Sequence, residues 1–181
     1  MTLSLTENAL LEFVGDVITN ECARPIPAVW RYHSHGLPDD CCTDDGVLSI
    51  YWERFNFSNR IPGTSAASIE PCAGVPYVAL ALRYVVCWPV PQVTGSGAVV
   101  PYAAADETAA MLADVAECVS LALVRVICDP IDHDELSAEV HARTMQDTVR
   151  FVESVPVSPS GGCAGVLWRL TLAPREAVTG S

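Results

Sequence analysis

The chain has 181 residues, half of them hydrophobic, and its 10 basic residues stand against 22 acidic ones, for a formal net charge of −12 at pH 7. This length and apolar content suit one domain with a substantial core, so we expect residues 1–181 to form a single domain. Every basic residue is an arginine, and no two are adjacent. Such a chain is a poor candidate for a protein that grips nucleic-acid phosphates.

No segment predicts a membrane partner. The first residues lack the basic and apolar regions of a secretory signal. The longest uncharged run, residues 84–105, is interrupted by Pro89, Pro91 and Pro101 and does not predict a membrane span.

The first half of the chain predicts one helix followed by three strands. Apolar residues recur at helical spacing from Leu10 to Ile18, and this helix is expected to end near residues 20–22, ahead of two prolines. Strands are predicted at 28–35, 47–57 and 77–88, with long polar or Gly- and Pro-rich loops after each. In the third strand, the even-numbered residues from Val78 to Trp88 are assigned to the core.

A long helix at 104–128 is the element around which the rest is expected to pack. It opens with Asp106 and Glu107, where acidic groups favour a helix start, and Pro130 stops it. A short surface helix is predicted at 132–146, and two further strands at 148–155 and 166–172. This order predicts an α+β fold, with an antiparallel or mixed sheet of about five strands and both main helices packed on it.

Two stretches carry more apolar surface than one core needs. The second half of the long helix is apolar nearly all round, and the second strand is apolar on both faces. A second subunit could cover either surface, as could a larger core of the same chain. The residues predicted at a subunit interface are Leu121, Val124, Ile127, Tyr51, Phe55 and Phe57.

Eight cysteines are many for a chain without a secretory signal. Cys87, Cys118 and Cys128 lie in apolar elements and are expected to be unpaired core residues. Five cysteines lie at element ends or in loops, where a disulfide or a metal site could form: Cys22, Cys41, Cys42, Cys72 and Cys163. A bridge that joins Cys41 or Cys42 to Cys72 or Cys163 is favoured. Zinc at His33, His35, Cys41 and Cys42 is an alternative, although adjacent cysteines chelate one ion poorly.

No pattern of catalytic residues is evident. His133 lies in a charged segment without a nucleophile motif, and the chain contains no G-x-S-x-G elbow, Rossmann fingerprint or P-loop. We therefore expect neither enzymatic activity nor a cofactor.

Several short motifs recur along the predicted elements in a distinctive order. They are Asp40-Cys41-Cys42, Ser58-Asn59-Arg60, Cys72, the strand Arg83 to Cys87 with Pro89-Val90-Pro91, and Gly161 to Gly165 running into Val166 to Thr171. In this order they resemble the tail terminator proteins of long-tailed bacteriophages that infect actinobacteria. The likeness spans about residues 5–172.

The resemblance implies a structural virion protein at the head–tail junction, made in the host cytoplasm. Such proteins form a ring, usually a hexamer, that caps the tail tube and joins it to the head-side stopper or connector, while DNA passes through without specific binding. Another neck protein, an adaptor or stopper, is the alternative within this class. A small zinc or redox protein that uses the loop cysteines is the alternative outside it.

Overall fold

Two helices pack on one face of a mostly antiparallel sheet. The computed structural model describes residues 3–24, 28–32, 46–58, 75–94, 97–99, 101–128, 150–160 and 162–172. The elements in chain order are α1 (Leu3–Asp16), a π-helical turn (Val17–Glu21), β1 (Ala28–Tyr32), β2 (Val47–Ser58), β3 (Val75–Cys87), β4 (Gln92–Thr94), β5 (Gly97–Val99), α2 (Tyr102–Cys128), β6 (Arg150–Ser160) and β7 (Cys163–Leu172).

The main sheet has the strand order β1-β2-β3-β7-β6. Its body is antiparallel, since β2 pairs with β3, β3 with β7 and β7 with β6 in opposite directions. β1 adds a parallel strand beside β2. The predicted α+β class, with two helices on an antiparallel sheet, is confirmed.

The core lies between this sheet and the helices. Even-numbered residues of β3 and β7 point to the helices because side chains alternate along a strand. Trp168, Leu80 and Leu82 are fully buried there, against apolar residues of α1 and α2 such as Val14 and Leu123. The faces predicted for these two strands are therefore correct.

Two glycines allow backbone arrangements around β7 that other residues would not. A Cβ atom at Gly165 would lie 2.1 Å from the carbonyl oxygen of Tyr84, so only glycine allows β3 and β7 to pair this closely. Gly162, at the turn between β6 and β7, has a φ of +79°, which L side chains rarely adopt.

The predicted loops differ from the structure in two places. Residues 156–165 are largely strand, because β6 continues through Pro156 and Pro159 to Ser160. Proline is compatible with an edge strand, where a missing N–H breaks no ladder bond, and β6 is such an edge.

The predicted loop at 89–101 contains the short hairpin β4–β5. The predicted surface helix at 132–146 lies outside the described residues, as does most of the two loops at 36–46 and 58–76.

Candidate functional site

The outer face of α2 carries two large apolar side chains in contact with water. Leu121 is 57% exposed and Val124 42%, whereas Leu123 between them is fully buried against the core. The side chain of Ile127, predicted to extend this surface, lies outside the described residues. Exposed apolar residues grouped on one helix face mark a surface suited to a partner.

The residues predicted at an interface on β2 do not join this helix surface. Tyr51 is half-buried, and strand alternation places it on the sheet face away from the helices, opposite Leu48 and Ile50. The side chains of Phe55 and Phe57 lie outside the described residues. Trp52 shares the helix-side face with Ile50 but is 37% exposed.

An apolar groove runs between the first half of α2 and the β6–β7 hairpin. Its volume is about 500 Å³. Small residues of the helix form one wall, prolines and serines of β6 form the other, and β7 with Trp88 forms the rest. The lining residues are Trp88, Ala109, Leu112, Ala113, Ala116, Ser154, Pro156, Val157, Ser158, Pro159, Ala164, Gly165 and Val166. None of them is charged.

The opposite face of the sheet carries a cluster of charged residues centred on Arg169. Its guanidinium donates to Glu153 on the neighbouring strand β6 and to Glu53 on β2, with 3.1 Å between Arg169 Nε and Glu53 Oε1. Arg169 reaches β2 across β3 because the residue paired with it there is Ala81. The hydrogen bonds that Arg169 donates to Glu153 and Glu53 raise its pKa, because they stabilise the charged guanidinium.

Two further polar groups adjoin this cluster. Burial lowers the pKa of Arg83, and its buried Nε finds no hydrogen-bond partner among the described residues. Burial also raises the pKa of Tyr51, and the negative charge of Glu53 raises it further. The sheet face away from the helices is thus polar at its centre.

The shifted tyrosine predicts a specific alkaline sensitivity. The folded state favours the neutral phenol of Tyr51, because its pKa there is raised above the ordinary tyrosine value of 10.0. The resulting contribution to stability is complete below pH 10.0. It is lost as the pH rises through the higher pKa of the folded state. We expect Tyr51→Phe to lose less stability than the wild type above about pH 10, measured by urea unfolding at several pH values. Tyr102→Phe, at a position 72% exposed, is the control and should follow the wild type. If the free energies of unfolding of Tyr51→Phe and the wild type changed in parallel with pH, the raised pKa of Tyr51 would be contradicted.

A disulfide joins the end of the N-terminal helical segment to α2. Cys22 and Cys118 are bonded, with 6.1 Å between their Cα atoms. The prediction that Cys118 is an unpaired core thiol is therefore wrong, although Cys118 does lie within α2 as predicted. The π-helical turn explains the geometry, because the N–H of Cys22 donates to the carbonyl of Val17 at 3.0 Å and this wider turn brings Cys22 to α2.

The other cysteines are described only in part. Cys163 is disulfide-bonded. Cys41, Cys42 and Cys72 lie outside the described residues, with His33 and His35, so their pairing and the zinc alternative stay predictions. Within the described ranges, no group of three or more His, Cys, Asp or Glu side chains is placed to hold a metal ion.

Comparisons with known proteins add no family. No model of a protein family matches the sequence, and no curated protein matches it significantly. Among the described residues, no helix is both long and apolar enough to cross a membrane.

Sequence reasoning missed the groove and the exposure of Trp52. The groove depends on β6 continuing past Pro156, and the pattern of Val155, Val157 and two prolines could have indicated an edge strand. No sequence signal shows that the helices leave Trp52 uncovered.

Proposed function

We propose that this chain is a structural virion protein, a tail terminator that forms a ring, most simply a hexamer, on the tail tube of a long-tailed bacteriophage. The ring joins the tube to a head-side stopper or connector protein. The observation that carries the proposal is the exposed apolar surface of α2 at Leu121 and Val124. It stands out on a chain whose net charge of −12 otherwise favours solubility. The sequence motifs that resemble tail terminators supply the class of assembly.

The acidity of the chain supports a passive channel. A ring that gripped the genome would need arginines clustered toward the duplex, whereas the net charge here is −12. An acidic ring repels the phosphate backbone, so DNA passes without specific binding.

The position in the particle is tested by separating tails from heads. A phage that carries this gene and lacks its major capsid protein should still assemble tails, and mass spectrometry should find the chain in them alongside the tail tube protein. Heads made without tails should lack it. The reverse distribution would favour an adaptor or stopper, and absence from both fractions would overturn the proposal of a virion protein.

A further inference from the structure

The apolar groove between α2 and β6 is suited to contact between copies of this chain. Two copies that each carry a net charge of −12 repel one another, so a stable contact has to form where acidic side chains are absent. None of the described lining residues is charged, and Ala109, Ala113 and Ala116 let another chain approach the helix closely. The groove volume of about 500 Å³ lies in the range of pockets that hold a small molecule, which is enough space for a large side chain.

Trp52 is the large exposed aromatic side chain of the described part of the main sheet. It is 37% exposed, and it follows Tyr51, the residue of β2 that pairs with Tyr32 of β1. Tryptophan is enriched among the residues that dominate binding energy at interfaces. The two groove serines, Ser154 and Ser158, offer oxygen atoms to the indole N–H, which needs an acceptor when it is buried.

The sheet order places the groove and Trp52 apart on the helix side of the sheet, toward opposite edges. The groove adjoins β6 at one edge, and Trp52 extends from β2, three strands away or about 14 Å across the sheet. The other large exposed apolar residues, Leu121, Val124, Tyr102 and Val90, lie on α2 or in the segment that leads into it. A contact between unlike patches of identical chains is head-to-tail, the type that closes into rings.

We propose that Trp52 of one copy inserts into the α2–β6 groove of the next copy. The proposal rests on the ring function proposed above and deepens it by naming one contact between neighbouring copies. In a closed ring, rotation about the ring axis relates neighbouring copies, so Trp52 and the groove lie at the same height along that axis. The line between them within one copy is therefore perpendicular to the axis.

Photo-crosslinking tests this contact directly. The photoreactive amino acid p-benzoylphenylalanine replaces Trp52 in the full chain, and both the purified protein at high concentration and assembled tails are irradiated. We expect cross-linked dimers and a ladder of larger species, with the linked peptide mapping to residues 109–116 or 154–159 of another copy. Links that map elsewhere, or no intermolecular link in either sample, would overturn the proposal.

Matched substitutions give an independent readout. Ala113→Glu places a charge in the groove, whereas Ala110→Glu makes the same change at an exposed position of α2 outside it. We expect Ala113→Glu and Trp52→Ala to reduce self-association in solution and incorporation into tails by about tenfold or more, and Ala110→Glu and Tyr102→Ala to leave both near the wild-type level.

The outcomes separate this contact from the ring function. Suppose that tails contain the wild-type protein and that the Ala113→Glu and Trp52→Ala chains enter tails equally well. This result would contradict the groove contact and leave the ring function standing. Groove cross-links in solution, together with absence of the chain from tails, would contradict only the tail assignment.

Discussion

Replacing Cys22 and Cys118 together by serine is expected to lower the free energy of unfolding by about 2–4 kcal/mol. The two residues are 96 apart in sequence, so the bridge closes a long loop in the unfolded chain and lowers the entropy of the unfolded state. It also ties the end of the N-terminal helical segment to the middle of α2, where both cysteines pack against the core. Urea unfolding without reductant measures the difference.

The control for this prediction leaves the bridge intact. Cys87→Ser changes a half-buried cysteine of β3 and should shift the unfolding midpoint much less. The double substitution is preferable to adding a reductant to the wild type, because Cys163 is also disulfide-bonded and would be reduced as well. Equal midpoints for the double variant and the oxidised wild type would show that the bridge contributes nothing to stability.

Replacing Trp168 by alanine is expected to cost about 3–5 kcal/mol, the typical range for truncating a large buried aromatic residue. Trp168 is fully buried at the centre of the core. Its indole N–H donates to the hydroxyl of Ser120 on α2 at 3.2 Å, and that hydroxyl donates to the carbonyl of Ala116 at 2.6 Å. The side chain therefore both fills the core and joins the sheet to the helix.

Two control variants separate these roles of Trp168. Ser120→Ala removes the hydrogen-bond acceptor alone and should cost about 1 kcal/mol. Trp52→Ala makes the same change at the partly exposed tryptophan and should cost much less than Trp168→Ala. If the two tryptophan variants unfolded at the same denaturant concentration, the assignment of Trp168 to the centre of the core would be contradicted.

The parts of the fold that were predictable are those with an unbroken apolar period. Alternation in β3 and β7 correctly gave their core faces, because one side of each strand is covered by helices. The long helix was predicted to within two residues at its start and correctly at its end, because Asp129-Pro130 is a strong stop signal.

The parts that were missed depend on distant contacts. The length of β6 follows from its place at the sheet edge, where Pro156 is tolerated, and that place is set by pairing with β7. The bond between Cys22 and Cys118 requires α1 and α2 to meet, which the spacing of cysteines along the chain does not encode. The hairpin β4–β5 has strands of only three residues each, too short for a period to be recognised.

The predicted interface residues follow from the same kind of pattern. Leu121 and Val124 were identified because the helix has more apolar residues than one face needs, and both are exposed. Tyr51 was predicted on the second apolar face of β2, and it lies on the sheet face away from the helices, beside Glu53 and Arg83. Contact of these residues with a second subunit stays a prediction.

A density map of the assembled particle tests the proposed ring most directly. We expect a closed ring of this chain at the head-proximal end of the tail tube, with α2 and the edge of the sheet in contact with neighbouring copies. A map in which the chain occupies another position in the particle, or in which its copies do not touch one another, would overturn the proposed function.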